Sequence, residues 1–137
     1  MFDLHERLAA DTAEVARLEL SLVRLMRDAR WPWLILVPAR AGITELHQLD
    51  AADRALLVEE IATVSRALER RFAPDKLNVG ALGNLVPQLH VHVIARRRDD
   101  AAWPGPVWGV GTAEPYDDAT LAATVAGLRA DIAGAVA

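Results

Sequence analysis

The seven residues QLHVHVI (88–94) alternate polar or imidazole side chains with aliphatic ones. This alternation is typical of a β-strand, in which residues two apart lie on the same face about 7 Å from one another. Gln88, His90 and His92 are therefore predicted to project together from one face. The aliphatic residues between them are predicted to face the core, so this strand should carry a polar site on the open side of a sheet.

Apolar spacing on both sides of this strand predicts the other elements of the fold. Three helices are predicted: an N-terminal helix with Phe2, Leu4, Leu8 and Val15 on its apolar face, a long helix over Ala51–Arg71 capped by Asp50, and a C-terminal helix from Asp117 or Asp118. Three further strands are predicted, over Leu20–Met26, Trp33–Val37 and Lys76–Leu82. The second of these strands is buried, and Pro38 ends it. Short links favour antiparallel pairing, and the helices do not alternate with every strand. The predicted fold class is α+β: an antiparallel sheet of about five strands packed by the long helix, with N- and C-terminal helices.

Length and composition limit the classes of protein to consider. The 137 residues fit one domain, 1–137, and the formal net charge of −4 argues against nucleic acid as a partner. The chain has 0 cysteines, which excludes disulfide frameworks and thiolate chemistry and fits a reducing compartment. No signal peptide is visible, and the longest apolar run, Trp31–Ala39, is far shorter than the roughly 20 residues of a membrane helix. We therefore expect a cytoplasmic protein that binds neither nucleic acid nor a membrane.

Three interpretations of His90 and His92 are open on the residues alone. They can be surface residues of a half-exposed sheet, or two ligands of a metal ion for which His5 or His47 would supply a third. They can also carry phosphate chemistry. Two adjacent imidazoles repel when both are charged, so one is expected to stay neutral as a nucleophile while a protonated neighbour acts as an acid.

The segment upstream of the histidines favours the phosphate interpretation. Gly80 and Gly83 allow backbone N–H groups to approach an anion, and Asn78 and Asn84 donate amide hydrogens without adding charge. Taken alone, these four residues are explained equally well by an ordinary hairpin turn. Their combination with the imidazole pair predicts a phosphate site that needs no metal and no cofactor.

With these flanks the sequence resembles the histidine triad (HIT) superfamily of nucleotide hydrolases and transferases. The family motif, three histidines alternating with hydrophobic residues, is matched at residues 88–94, and the resemblance extends from about Leu18 to Trp108. The sequence is most similar to the bacterial branch related to diadenosine tetraphosphate hydrolases. The resemblance implies a HIT-like fold and a homodimer that acts on a small-molecule nucleotide.

The resemblance also implies a role for each matching position. His90 corresponds to the histidine that attacks the α-phosphorus of a nucleoside or dinucleoside polyphosphate, or of a phosphoramidate, and forms a nucleotidyl-histidine intermediate. His92 corresponds to the third histidine, which contacts the phosphate and the leaving group and can supply a proton. The positions implied to bind phosphate are Gln88, Asn78 and Asn84, and those implied to bind the rest of the nucleotide are Asp28 and Trp103.

Two residues depart from the family pattern. Gln88 stands in place of the first histidine of the triad, and glutamine cannot exchange a proton near neutral pH. Trp33 stands where many members have a further histidine, and core packing is the expected role of a lone tryptophan in a strand. An alternative function is therefore a nucleotide-binding or scaffold protein with weak or lost catalysis. The arginine run 96–98 is predicted to be solvated beside Asp99 and Asp100.

Overall fold

The computed structural model describes residues 1–136 as three α-helices and one five-stranded sheet. In chain order the elements are α1 (Glu6–Asp11), β1 (Thr12–Arg17), β2 (Ser21–Met26), β3 (Trp33–Pro38), α2 (Ala51–Phe72), β4 (Lys76–Gly80), β5 (Val91–Arg96) and α3 (Asp118–Val136). The strands lie in the spatial order β1-β2-β3-β5-β4, and every neighbouring pair is antiparallel. The predicted α+β class with five antiparallel strands is confirmed.

Capping residues define both ends of helix α2. The side chain of its N-cap, Asp50, accepts a hydrogen bond from the backbone N–H of Asp53, and Ala73 closes the other end in the left-handed conformation, with φ 45°. Val64 and Leu68, four residues apart, are fully buried in the core. The predicted N-cap is confirmed, and the predicted end of the helix differs by one residue.

The sheet buries both of its faces, and only one face carries the histidines. Leu34 and Leu36 of β3 pack in a cluster with residues of α2 and α3, whereas Trp33 and Ile35 pack with the N-terminal segment and the loop before α3. Burial on both faces explains why β3 is continuously apolar in the sequence. Ile35 lies directly opposite His92 of β5, so this histidine shares the second face.

The N-terminal helix is shorter than its apolar spacing predicts. Helix α1 ends at Asp11, and Val15, which the spacing assigns to the helix, lies in β1. Pairing explains the difference, because β1 forms a ladder with β2 in which the β-branched residues Thr12 and Val15 are fully buried. Pairing with a neighbouring strand here outweighs a local helical period.

The two strands that flank the histidine segment are shorter than predicted. Strand β4 ends at Gly80 rather than Leu82, and β5 begins at Val91 rather than Leu89. The backbone N–H of Leu89 instead donates to the carbonyl of Ile43, outside the ladder with β4. Residues 81–90 therefore form the loop that connects β4 to β5.

The prediction that Arg96 is solvated is wrong. Arg96 ends β5 and is only 1% exposed, because its guanidinium forms a 2.8 Å ion pair with Asp100 and also donates to the Asn78 side chain and the Gly105 carbonyl. A buried cation is tolerated when its donors are paired in this way. The pair fixes the start of the loop that follows β5.

Helix α3 begins at Asp118, one of the two predicted starts, and packs Leu128 and Ile132 into the core. By length and composition alone it is apolar enough to cross a membrane. Its Arg129 donates a 2.7 Å hydrogen bond to the carbonyl of Val15 in β1. These contacts make α3 an integral part of the folded domain.

Candidate active site

A cavity of about 370 Å³ opens on the sheet face that carries the histidines. This volume lies within the range of small-molecule sites, roughly 300–1,000 Å³. The polar side chains in its wall are His90, His92, Asn84 and two charged residues of α1. Apolar residues form most of the remaining wall, including Leu8, Met26, Ile35, Val86 and Trp108.

A larger cavity, of about 640 Å³, lies between β1 and α3. Its charged lining residues are Glu14, Arg17 and Arg129, and none of the described residues that line it is a histidine. The smaller cavity therefore holds the groups capable of nucleophilic chemistry, although it is not the largest.

His90 is held in one defined tautomer. Its Nδ1 lies 2.7 Å from the backbone carbonyl oxygen of Gln88, and a carbonyl only accepts, so Nδ1 carries the proton. In the neutral ring the lone pair is then on Nε2. Because Nδ1 is turned to the backbone and the ring lines the cavity, Nε2 is the nitrogen available to a ligand there.

A buried hydrogen bond joins Trp33 to His92. The indole Nε1–H donates to Nδ1 of His92 over 2.8 Å, and an indole nitrogen can only donate. The hydrogen of the His92 ring is therefore on Nε2. Trp33 is buried, as expected of a strand tryptophan, but it also contacts the histidine pair directly.

The environment of His92 keeps its ring uncharged. Burial, together with the nearby His90, lowers the pKa of His92 to about 3. The ring is therefore neutral at pH 7 and can donate a hydrogen bond through Nε2. This protonation state differs from the sequence-based expectation that His92 supplies a proton, because an imidazole that is already neutral is a very weak acid.

Aromatic rings surround the two histidines. The ring centroids of His90 and His92 are 4.9 Å apart, and Trp108 contacts His92 edge-on at 5.3 Å. Gly80 makes room for this indole, because a Cβ at that position would lie 3.2 Å from the Trp108 ring. Gly80, expected from the sequence to admit an anion, instead admits a tryptophan that the sequence analysis did not select.

Asn84 is the one residue of the predicted phosphate-binding set whose side chain lines the cavity with the histidines. It follows Gly83, which turns the loop with φ +79°, a conformation that favours glycine. Asn84 is exposed in the cavity wall, so its amide is accessible to a ligand. The β4–β5 loop thus brings one neutral donor to the mouth of the cavity.

Gln88 lies next to the site but turns its side chain away from the cavity. Its Oε1 accepts a 2.8 Å hydrogen bond from the backbone N–H of His5, and its Nε2 donates over 2.8 Å to the carbonyl of Asp3. Both ends of the amide are therefore occupied by the N-terminal segment. The structure assigns Gln88 a clasping role rather than the predicted contact with phosphate.

Three other predicted site residues lie outside the cavity wall, as far as residues 1–136 define it. The Asn78 side chain accepts a 2.7 Å hydrogen bond from Arg96, and the Trp103 ring lies 5.6 Å from the same guanidinium. Asp28 is 3% exposed and forms a 2.8 Å ion pair with Arg30. Each is engaged by an arginine, and none of the three is part of the wall that holds the histidines.

The N-terminal helix supplies a wall of the cavity that sequence reasoning missed. Arg7, Leu8 and Asp11 of α1 line it, and Arg7 and Asp11 lie 3.6 Å apart as a half-exposed ion pair. The apolar spacing of the N-terminus predicted a helix but did not indicate that this helix lies against the cavity. The helix follows directly on the segment that Gln88 holds, although Gln88 is more than eighty residues away in the chain.

The histidines considered as further metal ligands lie elsewhere. The Nδ1 of His5 accepts a hydrogen bond from the backbone N–H of Arg7 at the start of α1, and His47 is exposed in a short 3₁₀ turn. Within residues 1–136, no three histidine, aspartate or glutamate side chains converge as a metal site requires.

Comparisons with known proteins agree with this fold. The family model described as HIT domain matches residues 7–99. A histidine triad protein from Bradyrhizobium japonicum is 50% identical, with a TM-score of 0.93 over 96% of this chain and 98% of that one. The chain therefore belongs to the HIT domain family.

Two further histidine triad proteins of known structure are similar along almost their whole length. The one from Sinorhizobium meliloti is 48% identical, with a TM-score of 0.92 over 95% of this chain and 96% of that one. The one from Marinobacter aquaeolei is 46% identical, with a TM-score of 0.95 over 98% of both chains. No curated protein matches the chain.

Proposed function

We propose that the protein hydrolyses or transfers a nucleotidyl group from the α-phosphate of a nucleoside or dinucleoside polyphosphate, or of a phosphoramidate. The observation that carries the proposal is the 2.7 Å contact between His90 Nδ1 and the Gln88 carbonyl. It places the lone pair of the neutral ring on Nε2, in a cavity of suitable size. A neutral, oriented imidazole nitrogen is the nucleophile that such a reaction requires.

The reaction divides into two displacements. In the first, the Nε2 lone pair of His90 forms a bond to the α-phosphorus, and the bond to the leaving group breaks with its electron pair on the leaving group. The imidazole becomes cationic, and its Nδ1–H still faces the Gln88 carbonyl. In the second, water attacks phosphorus, the P–N bond returns its pair to Nε2, and one water proton passes to solvent. Each displacement has a lower barrier than a single direct one.

Neutral donors around His90 suit the charge that develops on the phosphoryl oxygens. The His92 Nε2–H and the Asn84 amide both belong to the cavity wall and carry no charge of their own. Donors held in place before reaction stabilise a transition state without reorganisation. The apolar wall with Leu8, Met26 and Ile35 suits the nucleoside.

Within the family we propose an affiliation with the bacterial proteins related to diadenosine tetraphosphate hydrolases, and assembly as a homodimer. Strand β4 is an edge of the sheet, and its Val79 is 51% exposed. An apolar, unpaired edge is suited to pairing with a second copy. Sedimentation of the wild type and of Val79→Lys tests the assembly: we expect a dimer that the variant weakens, and a wild-type monomer would refute it.

Turnover by His90→Ala tests the proposed activity. The wild type should hydrolyse adenosine polyphosphates, and the variant should lose hydrolysis while keeping its affinity for adenosine monophosphate within severalfold. The control is His47→Ala, which removes an exposed imidazole outside the cavity and should leave turnover unchanged. Nucleotide binding with no hydrolysis by the wild type would instead support the alternative, a nucleotide-binding or scaffold protein. That alternative draws on Gln88, which contributes no acid or base to the site.

A further inference from the structure

The geometry points to a restriction on the leaving group: the site favours α-phosphate substrates whose leaving group departs as a stable anion, such as a pyrophosphate or a phenolate, over phosphoramidates of alkylamines. The inference rests on the proposed function and concerns the same site. It follows from the residues that surround His90, because none of those nearest to it is arranged to deliver a proton.

Trp33 is the first reason, because it fixes His92 as a neutral donor. Its indole N–H points at Nδ1 of His92 over 2.8 Å, with both side chains buried. Protonating Nδ1 would place two N–H groups against each other, so the hydrogen bond must break before His92 can become an imidazolium ion. Trp33 is thus a positioning residue, which acts on the reaction through His92.

The other polar groups near His90 do not replace that acid. The Gln88 amide and the Asn84 amide cannot exchange protons near pH 7, and the Gln88 amide is also bound to the N-terminal segment. The remaining charged groups of the cavity wall are Arg7 and Asp11 of α1, which lie 3.6 Å apart and are more than half exposed. Glutamine at the first triad position and tryptophan in β3 thus both leave the site without a side chain that can protonate the leaving group.

The consequence concerns the bond from phosphorus to the leaving group. When His90 Nε2 attacks, a phosphate or phenolate leaving group accepts the electron pair and departs as an anion without a proton. An alkylamine would have to leave as an amide anion unless its nitrogen were protonated first. General acid catalysis typically contributes about 10²–10⁴-fold to such a step. Without a resident acid, the alkylamine substrate should therefore react at least ~100-fold more slowly than the aryl ester.

The test uses four adenosine 5′-monophosphate derivatives that differ only in the leaving group: pyrophosphate, 4-nitrophenol, phenol and n-propylamine. We expect kcat/KM at pH 7 to fall steeply as the leaving group becomes less acidic, with the propylamine derivative slowest. In Trp33→Phe the indole donor is absent and His92 Nδ1 is free to take a proton. The ratio of aryl ester to propylamine rates should then narrow by up to about tenfold, since one lost hydrogen bond corresponds to about one pKa unit and raises the small protonated fraction of His92 by that factor.

Trp31→Phe is the matched control. Trp31 is 1% exposed and packs edge-on against Trp33 with centroids 6.2 Å apart, so its replacement also removes a buried indole next to the site. It should leave the ratio and its pH dependence unchanged. Nitrogen-15 spectra of the wild type provide a second measurement, in which His92 should carry its hydrogen on Nε2 from pH 5 to pH 8.

The outcomes separate this inference from the proposed function. Hydrolysis of the propylamine derivative as fast as the aryl ester, or a protonated His92 at pH 6, would overturn the inference while leaving the activity in place. Equal effects of the two tryptophan substitutions would also overturn it. Failure to turn over any of the four compounds would refute the proposed function instead.

Discussion

Replacing Gln88 by alanine should detach the N-terminal segment from the site while leaving the sheet intact. The Gln88 amide holds this segment through two hydrogen bonds, one from the backbone N–H of His5 and one to the carbonyl of Asp3, each 2.8 Å long. Helix α1 follows directly and contributes Arg7 and Leu8 to the cavity wall. The substitution therefore removes the clasp but none of the nucleophilic groups.

The magnitude follows from the two bonds. Each intramolecular hydrogen bond contributes about 0.5–1.5 kcal/mol, so the closed position of the segment should lose about 1–3 kcal/mol. A free-energy change of about 1.4 kcal/mol corresponds to a tenfold change in an equilibrium constant. The equilibrium between the closed and open positions of the N-terminal segment should therefore shift by roughly 5- to 150-fold. We expect KM for an adenosine polyphosphate to rise by up to this factor, as far as the open form becomes populated, with a smaller change in kcat, because the displaced wall contributes binding and not the nucleophile.

Hydrogen exchange and steady-state kinetics check this prediction together. In Gln88→Ala the amides of Arg7 and Ala9, which bond the side chain and the carbonyl of His5, should lose protection. Gln48→Ala is the matched control, because the Gln48 side chain also forms two hydrogen bonds with the backbone, accepting from the N–H groups of Thr44 and Glu45, but lies in the 3₁₀ turn before α2. Unchanged protection in Gln88→Ala, or an equal loss in the control, would refute the clasp.

Three further predictions concern stability. Leu34→Ala, at a fully buried position of β3, should lower the free energy of unfolding by about 2–5 kcal/mol in urea titrations, and a loss under 1 kcal/mol would contradict its place in the core. Arg96→Met should lower the free energy of unfolding by about 3–5 kcal/mol, because it removes the buried cation paired with Asp100 and leaves that carboxylate only its backbone N–H donors. The Arg96 guanidinium holds the pKa of Asp100 well below its usual range. Arg97→Met, at an exposed ion pair, should cost less than about 0.5 kcal/mol, and equal costs would refute the distinction. His92 has a pKa of about 3 in the folded protein and its ordinary value near 6.5 in the unfolded chain. Between these two values the unfolded state binds more protons than the folded state. The free energy of unfolding should therefore fall as the pH falls through that range, by up to about 1.4 kcal/mol per pH unit. His92→Asn should remove this contribution and the exposed His47→Asn should not, so identical pH slopes in the wild type and His92→Asn would contradict the neutral, buried ring.

The sequence predicted those features that depend on local periodicity. Two-residue alternation placed the histidines on one face and the aliphatic residues on the other, and the Asp50 cap fixed the start of the long helix. The first triad position shows the limit of this reasoning. Alternation implied that Gln88 shares the open face, but the regular strand starts at Val91, so the Gln88 side chain turns toward the N-terminus instead.

The remaining features depend on contacts between distant parts of the chain. Trp33 and His92 are 59 residues apart, and no local pattern indicates that an indole N–H meets an imidazole nitrogen. Arg96 lies in a run of arginines that is typical of a solvated surface, yet the structure buries it with Asp100. Pairing of a buried polar group is a property of the assembled fold, which explains why these roles were missed.

The covalent intermediate is the central claim, and rapid quenching followed by mass spectrometry tests it most directly. Wild-type protein mixed with the 4-nitrophenyl ester of adenosine 5′-monophosphate and quenched within one turnover should gain the mass of one adenylyl group, and fragmentation should place that group on His90. The Nδ1 contact with the Gln88 carbonyl predicts attachment at Nε2. Hydrolysis of the ester with no adduct on His90, or with the adduct on another residue, would contradict the account.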